Sequence, residues 1–273
     1  MSGTLYIVAT PIGNLEDISA RAVRILGEVD LIACEDTRQT RKLLDRYGIA
    51  KPLVSYHEHN EQARSADLLS ELEAGKNIAL VSDAGTPLIA DPGYRLVELA
   101  RRNGISVSPI PGPSALLAAL SASGLPTDSF VFHGFLPPKR AQRRKLLEDF
   151  RSSEATLVFY EAPHRILGAL EDIEEVLGPR PVVLARELTK IHEEFLHGTA
   201  AEIQQALQQR PSVKGEITLM IGKGEIAPVD DTPLAEAVRK LMESGVPRME
   251  ALKTVARQRG LSKRDVYKRL NEP

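Results

Sequence analysis

Short apolar runs alternate with stretches of helical period along the first 110 residues. Leu5 to Ala9 reads as a buried strand, after which Ser19 caps a helix with Ala22, Val23, Ile25 and Leu26 on its apolar face and Gly27 at its end. Asp30 to Cys34 predicts a second strand, and Leu43, Leu44 and Tyr47 mark a helix that stops at Gly48. Leu53 to Tyr56 gives a third strand, Leu68, Leu69 and Leu72 a helix closed by Gly75, and residues 78–82 a fourth strand. A helix over Leu96, Val97, Leu99 and Ala100 and a strand at 105–107 complete the series. Strands and helices alternating at this spacing imply βαβ units and a mostly parallel sheet.

Beyond Pro113 the pattern changes. Ser114 to Ser123 is a small-residue helix, Phe130 to Phe135 an alternating strand, and residues 155–160, 181–185 and 216–221 predict further strands. Helices are expected near 139–150, 164–177 and 199–209. The fold class is therefore α/β: two consecutive α/β domains, 1–112 and 113–226, with mostly parallel or mixed sheets, joined at the stiff Pro111-Gly112-Pro113. A linker at Pro228 to Thr232 leads to a small helical module at 233–273. There Thr232 caps and Pro233 opens one helix, Met249 to Arg259 forms a second, and Ser262 with Asp265 makes a capping box for a third carrying Val266, Tyr267 and Leu270. The helices joined by Gly260-Leu261-Ser262 match a helix-turn-helix pattern. It reads either as a nucleic-acid-binding module or as a tail packed on the body or on a partner subunit.

Composition changes the picture in one respect. A chain of 273 residues with 42% hydrophobic and 26% charged residues can bury a sizeable core. Its single cysteine excludes an internal disulfide, and neither a membrane span nor a signal peptide is visible, so a cytoplasmic protein without membrane contact is expected. The net charge of −2 argues against a nucleic-acid partner until it is divided. Residues 233–273 hold 10 Lys/Arg against 5 Asp/Glu, a net +5, which leaves 25 against 32, a net −7, on residues 1–232. The basic charge is segregated at one end.

Three strands end in Pro/Gly loops: Thr10-Pro11-Ile12-Gly13-Asn14-Leu15, Ser82-Asp83-Ala84-Gly85-Thr86-Pro87 running on to Asp91-Pro92-Gly93, and Pro109-Ile110-Pro111-Gly112-Pro113-Ser114-Ala115. Loops at the carboxyl ends of parallel strands are where open α/β sheets bind ligands. At Pro11 to Gly13, Gly85-Thr86-Pro87 and Pro111-Gly112-Pro113-Ser114 the sequence resembles the S-adenosylmethionine-dependent tetrapyrrole methylases, with Thr86 where most of that family has Asp. Cys34-Glu35-Asp36-Thr37-Arg38, His57-Glu58-His59-Asn60-Glu61 and Phe159-Tyr160-Glu161-Ala162-Pro163-His164-Arg165 are similar to one branch of it, which methylates a cytidine ribose 2′-oxygen in 16S RNA. The resemblance runs nearly end to end. It implies S-adenosyl-L-methionine as cofactor, 16S rRNA or the 30S ribosomal subunit as partner, and a homodimer. Alternatives are a tetrapyrrole carbon methyltransferase, and a nucleic-acid-binding regulator that only senses the cofactor.

That resemblance places the cofactor between the halves, against Pro11, Gly13, Gly85, Thr86, Ile89, Ala90, Ser114 and Ala115 and the strand ends at Tyr160, Ala185 and Thr218. Two strand ends gather charge: Asp36 with Arg38, and Glu187 with Lys190. A ribose hydroxyl needs a base or a partner for its developing negative charge. Asp36 and Glu187 are candidate bases, Arg38 and Lys190 candidate stabilisers. Carboxylates among cations are weak bases, which favours a positioning role or a lysine of depressed pKa. The structural alternatives are that Asp36 caps a helix from Thr37 and that Arg186 pairs with Glu187.

Other motifs carry less. Gly222-Lys223-Gly224-Glu225-Ile226-Ala227 fits a dinucleotide loop but runs into Pro228. His192-Glu193-Glu194-Phe195-Leu196-His197 has one residue too many for a helical zinc pair, and His57 with His59 has no third ligand, so no metal is expected. Lys139, Arg140, Arg143, Arg144 and Lys145 form either a solvated helix face or a phosphate contact.

Overall fold

β1 (Thr4–Val8), α1 (Ala20–Glu28), β2 (Leu31–Cys34), α2 (Thr37–Arg46), β3 (Leu53–Ser55), α3 (Glu61–Glu73), β4 (Ile78–Val81), α4 (Tyr94–Arg102) and β5 (Ser106–Ile110) alternate strictly along the first half of the chain. The structure is a computed structural model that describes residues 2–224, 232–258, 266, 268 and 270. The five strands pair in parallel in the order β3-β2-β4-β1-β5. Side chains alternate across a strand, so Ile32, Cys34, Ala79 and Val81 enter a core with Ile25, Leu26 and Leu44 of α1 and α2. Their neighbours Ala33, Ile78 and Leu80 pack on the other face with Leu68, Leu72 and Leu96 of α3 and α4. With helices on both faces the strands need no polar side, which is why they read as continuous apolar runs. The fifth strand runs past the expected 105–107 to Ile110 because it lies at an edge, where Pro109 has no ladder bond to withhold.

The second half contains α5 (Ala115–Ala122), β6 (Phe130–Phe135), α6 (Arg140–Asp149), β7 (Thr156–Glu161), α7 (Ile166–Leu177), β8 (Val182–Arg186), β9 (Glu194–Gly198), α8 (Ala200–Gln208) and β10 (Ile217–Ile221). Its sheet has the order β6-β7-β10-β8-β9, with β6 parallel to β7 and every other neighbour antiparallel. Leu157, Phe159, Leu184 and Leu219 face α6, α7 and α8. Val158, Val183, Ala185 and Met220 face α5 and also Ile12, which reaches them from the loop after β1. The loop that ends the first strand is thereby part of the second core. β9 has no counterpart among the expected strands: it is an edge strand whose Glu194 and His197 break the apolar pattern, and it puts His192 and His197 in a turn and a strand rather than on a helix.

The three arginines of the basic run, Arg140, Arg143 and Arg144, are absorbed by α7. Asp172, fully buried, accepts from Arg143 Nε at 2.7 Å and Arg140 Nε at 2.8 Å, and Arg144 bonds Glu175. These arginines hold helix to helix.

The chain divides into two units, Met1–Gly224 and Glu225–Pro273. The second holds α9 (Leu234–Glu243) and α10 (Arg248–Gln258), with a small core of Val238, Ala251, Leu252, Val255 and Val266. α9 starts one residue after Pro233. The expected Gly260-Leu261-Ser262 turn, Asp265, Tyr267 and most of the linker, 228–231, lie outside the described residues.

Candidate functional site

The three Pro/Gly loops form one wall because they bond to each other. Thr10 and Gly85 exchange backbone bonds of 2.9 and 3.0 Å, Thr10 Oγ1 donates to the Ser82 carbonyl at 3.1 Å, and Thr86 Oγ1 donates to the Pro113 carbonyl at 3.2 Å. Gly85 sits at φ 83°, and Leu88 and Ala90 follow at φ 71° and 65°. Across from them, in the loop after β8, Glu187 and Thr189 are at φ 52° and 66°. Left-handed backbone costs a non-glycine residue about 1–3 kcal/mol and is retained where surrounding structure enforces it, commonly at ligand sites.

Between these loops and the ends of β7 and β10 lies a cavity of about 400 Å³, the size of a small-ligand site. Of the residues that the resemblance assigns to the cofactor, Gly85, Thr86, Ile89, Ala90, Ser114, Ala115, Tyr160 and Thr218 line this cavity. Three other candidates are placed differently. Ile12, not Pro11 or Gly13, faces the cavity from the first loop, because Gly13 is pressed against the second half: a Cβ there would come within 2.4 Å of Lys190 Cγ. Ala185 is fully buried in the core beneath, on the face of β8 turned to α5.

None of the four candidate catalytic residues lines the cavity; three are one contact behind it. Asp36 caps α2, accepting from Arg38 N at 2.8 Å, and its own N–H donates to Asp83 Oδ1 at 3.0 Å. Hydrogen bonds from Arg38 hold the Asp36 carboxyl below its usual range, while the Arg38 side chain is 86% exposed. Lys190 Nζ donates to Glu187 Oε1 at 2.8 Å and Glu216 Oε2 at 2.9 Å. Glu187 is lowered by the Lys190 bond and by Glu216 N–H. Burial works against the Lys190 charge, but the two carboxylates outweigh it and its pKa rises, the opposite of a depressed-pKa lysine. Arg186 pairs with Glu194 at 3.0 Å rather than with Glu187. Glu187 lines a second depression with Arg186, Arg210 and Lys214, which shares Gly215 with the main cavity.

The charged groups that do line the cavity are Asp83, Asp91, Glu161 and Glu216, with no Lys or Arg among them. Glu161 is 2% exposed; its Oε1 accepts from Ala162 N and Arg165 Nε, both at 2.7 Å, while Oε2 is buried without a partner among the described residues. Asp91 is pushed up to about 6 by burial, with the Glu35 and Asp83 charges adding to it and Ser82 opposing. Glu35 is raised by burial and by Asp83. On the opposite wall Tyr160 is raised by burial and by Asp91, with the Leu116 backbone opposing, and its ring meets Phe132 and Phe135 edge to face at 4.9 and 5.7 Å. Asp91 and Glu161 both lie inside the loop and strand-end motifs of the sequence, and only their burial beside the cavity marks them out.

The model of the tetrapyrrole (corrin/porphyrin) methylases matches residues 4–204. The ribosomal RNA small subunit methyltransferase I of Halalkalibacterium halodurans is 50% identical over 272 residues, covering 97% of this chain and 93% of that protein. The protein of the same name from Synechocystis sp. is 48% identical over 273 residues, covering 97% and 96%. Among solved structures, diphthine synthase superposes with a TM-score of 0.65 at 17% identity over 81% of this chain and 90% of that one. Uroporphyrin-III C-methyltransferase from Thermus thermophilus, complexed with S-adenosylhomocysteine, gives 0.56 at 20% identity over 81% and 97%. At such identities the structural likeness establishes the fold. The chain belongs to the tetrapyrrole (corrin/porphyrin) methylase family, and within it groups with the ribosomal RNA small subunit methyltransferases I.

Proposed function

We propose that this chain is an S-adenosylmethionine-dependent methyltransferase of small-subunit ribosomal RNA, and that the accepting atom is a cytidine ribose 2′-oxygen. The cavity is the observation that carries the reading. Its wall combines apolar groups, Ile12, Ile89, Ala115 and Leu188 among them, with four carboxylates, so it favours a ligand that is part apolar and carries positive charge. The unpartnered Glu161 Oε2 calls for an N–H or O–H donor from that ligand. S-adenosylmethionine has ammonium, amino and hydroxyl donors, and when bound it supplies a methyl group made electrophilic by its sulfonium. Glu161 and the backbone of Gly85 to Ala90 and Ser114-Ala115 would hold it, and fixing it against the acceptor is a main source of acceleration.

The substrate comes from relatives of 45–50% identity that carry the rRNA methyltransferase name over nearly the whole chain. In this reading the two sheets are separate domains meeting near residue 112, and the protein acts as a cytoplasmic homodimer on the assembled 30S subunit. A polyanion is repelled by the acidic cavity wall, so RNA has to be gripped elsewhere; the +5 segment at 233–273 suits that task.

The test is incubation with cofactor labelled in its methyl group and 30S subunits lacking the modification. Label should enter 16S rRNA, and digestion in alkali should leave the labelled nucleotide within a dinucleotide, because a methylated 2′-oxygen cannot cleave its own phosphodiester. Label in a base, or none in RNA while the cofactor binds, would refute the ribose assignment or the enzyme itself, respectively.

A further inference from the structure

We infer that Asp91 is the general base that takes the proton from the accepting ribose hydroxyl. This rests on the methyltransferase reading and goes beyond it, since the candidate bases Asp36 and Glu187 lie behind the cavity wall. A base has to be inside the cavity, able to reach a hydroxyl, and not already committed to a cation. Of the four lining carboxylates, Glu161 is bonded to Arg165 and Glu216 to Lys190. Asp83 accepts the Asp36 N–H and is solvent-exposed. Asp91 alone is half-buried in the wall with no ion pair among the described residues.

Its surroundings are consistent with that work. Asp91 follows Ala90, whose φ of 65° is part of the constrained turn between β4 and α4, so its position is set by backbone rather than by a long side chain. The groups facing it are acidic or neutral: Glu35 from the end of β2, Asp83 and Ser82 from the end of β4, and Tyr160 from β7 across the cavity. Burial raises the Asp91 carboxyl to about 6, against the opposing Ser82 hydrogen bond and with the Glu35 and Asp83 charges adding to the rise, and no cation among the described residues holds it down as Arg38 holds Asp36. In the reaction the hydroxyl proton passes to the Asp91 carboxylate as the oxygen–carbon bond forms and the carbon–sulfur bond breaks, the electron pair of that bond staying on sulfur. The sum is methylated ribose, S-adenosylhomocysteine and one proton, later lost to water.

The experiment compares the full chain with Asp91→Asn. Single-turnover methylation of 30S subunits at saturating cofactor should fall by about 10²-fold or more, the usual contribution of a general base, a larger loss than any loss of cofactor affinity measured by calorimetry. The parent rate should decline below pH 6 with unit slope, and that limb should be absent from the residual activity of the variant. Independently of turnover, carboxyl ¹³C NMR of the cofactor-free protein should show one aspartate titrating near pH 6 that is missing in Asp91→Asn. The variant should also unfold at a higher temperature at pH 7, because it removes a carboxylate that burial makes costly to ionise; a merely structural Asp91 would lower it. Parent-like turnover, or a loss confined to cofactor affinity, overturns the assignment. If the parent itself labels no RNA, it is the methyltransferase reading that fails, and the NMR titration still reports on Asp91.

Discussion

Glu161 and Asp91 are carboxylates of the same wall, and their neighbours assign them different work. Arg165 neutralises one oxygen of Glu161 and leaves the other without a donor, whereas Asp91 has no ion pair, among the described residues. Glu161→Gln should therefore weaken S-adenosylmethionine binding by about 10-fold or more, the worth of a hydrogen bond to a charged group. Calorimetry at pH 7 checks it, and unchanged affinity would mean that Oε2 meets no ligand. Lys190 shows why such roles are hard to read from a chain. Its nearness to Glu187 is visible at three residues' spacing, but Glu216, which also holds it, arrives from the strand end 26 positions away. Together the two carboxylates, Glu187 first, make the lysine a fixed cation instead of a base. Gly85 was legible as a turn-former, and its φ of 83° is the reason a side chain is strained there; space is not, since a Cβ would meet Ile12 at an ordinary 3.5 Å.

At the level of elements, caps were legible because they are local. Ser19 and Asp36 accept from backbone N–H groups three and two residues on, as their sequence context implies. The α6 arginines were not legible as structure, because their partners sit a helix away on α7. Asp172 is the hinge of that network: replacing it by Ala leaves the buried Arg143 with only the Pro137 and Gly168 carbonyls, at 3.5 and 3.4 Å. Breaking a buried pair in this way costs about 3–5 kcal/mol. Urea denaturation of Asp172→Ala should show a loss of that order, with cofactor affinity retained while the protein stays folded; a loss below ~1 kcal/mol would place the network among surface pairs. β9 escaped notice for a related reason. An edge strand needs apolar residues on one side only, and Glu194 is held by Arg210 and, less strongly, Arg186, which bring its carboxyl down to about 2 against the effect of burial.

For the molecule as a whole, charge separates the tail from the body, and the small core of α9 and α10 gives that tail its own packing. A protein ending at residue 224 should bind S-adenosylmethionine as the full chain does. It should bind 30S subunits more weakly and with a shallower dependence on salt, because fewer phosphate counterions are released. Superimposable salt titrations of the two proteins would exclude the tail from RNA capture. Aggregation of the shortened protein would point instead to apolar surface left uncovered. The sequence by itself determined the α/β alternation and the loops that gather at the site, since periodicity, caps and turn-formers act within a few residues. Its motifs also carried the family resemblance that the relatives bear out. Only the tertiary structure decided which charges face the cavity and which stand behind it. Asp91 and Asp36 are alike on paper; among the described residues one has no counterion and the other caps a helix beside Arg38, because burial and ion pairing depend on neighbours that the fold, not the chain order, supplies.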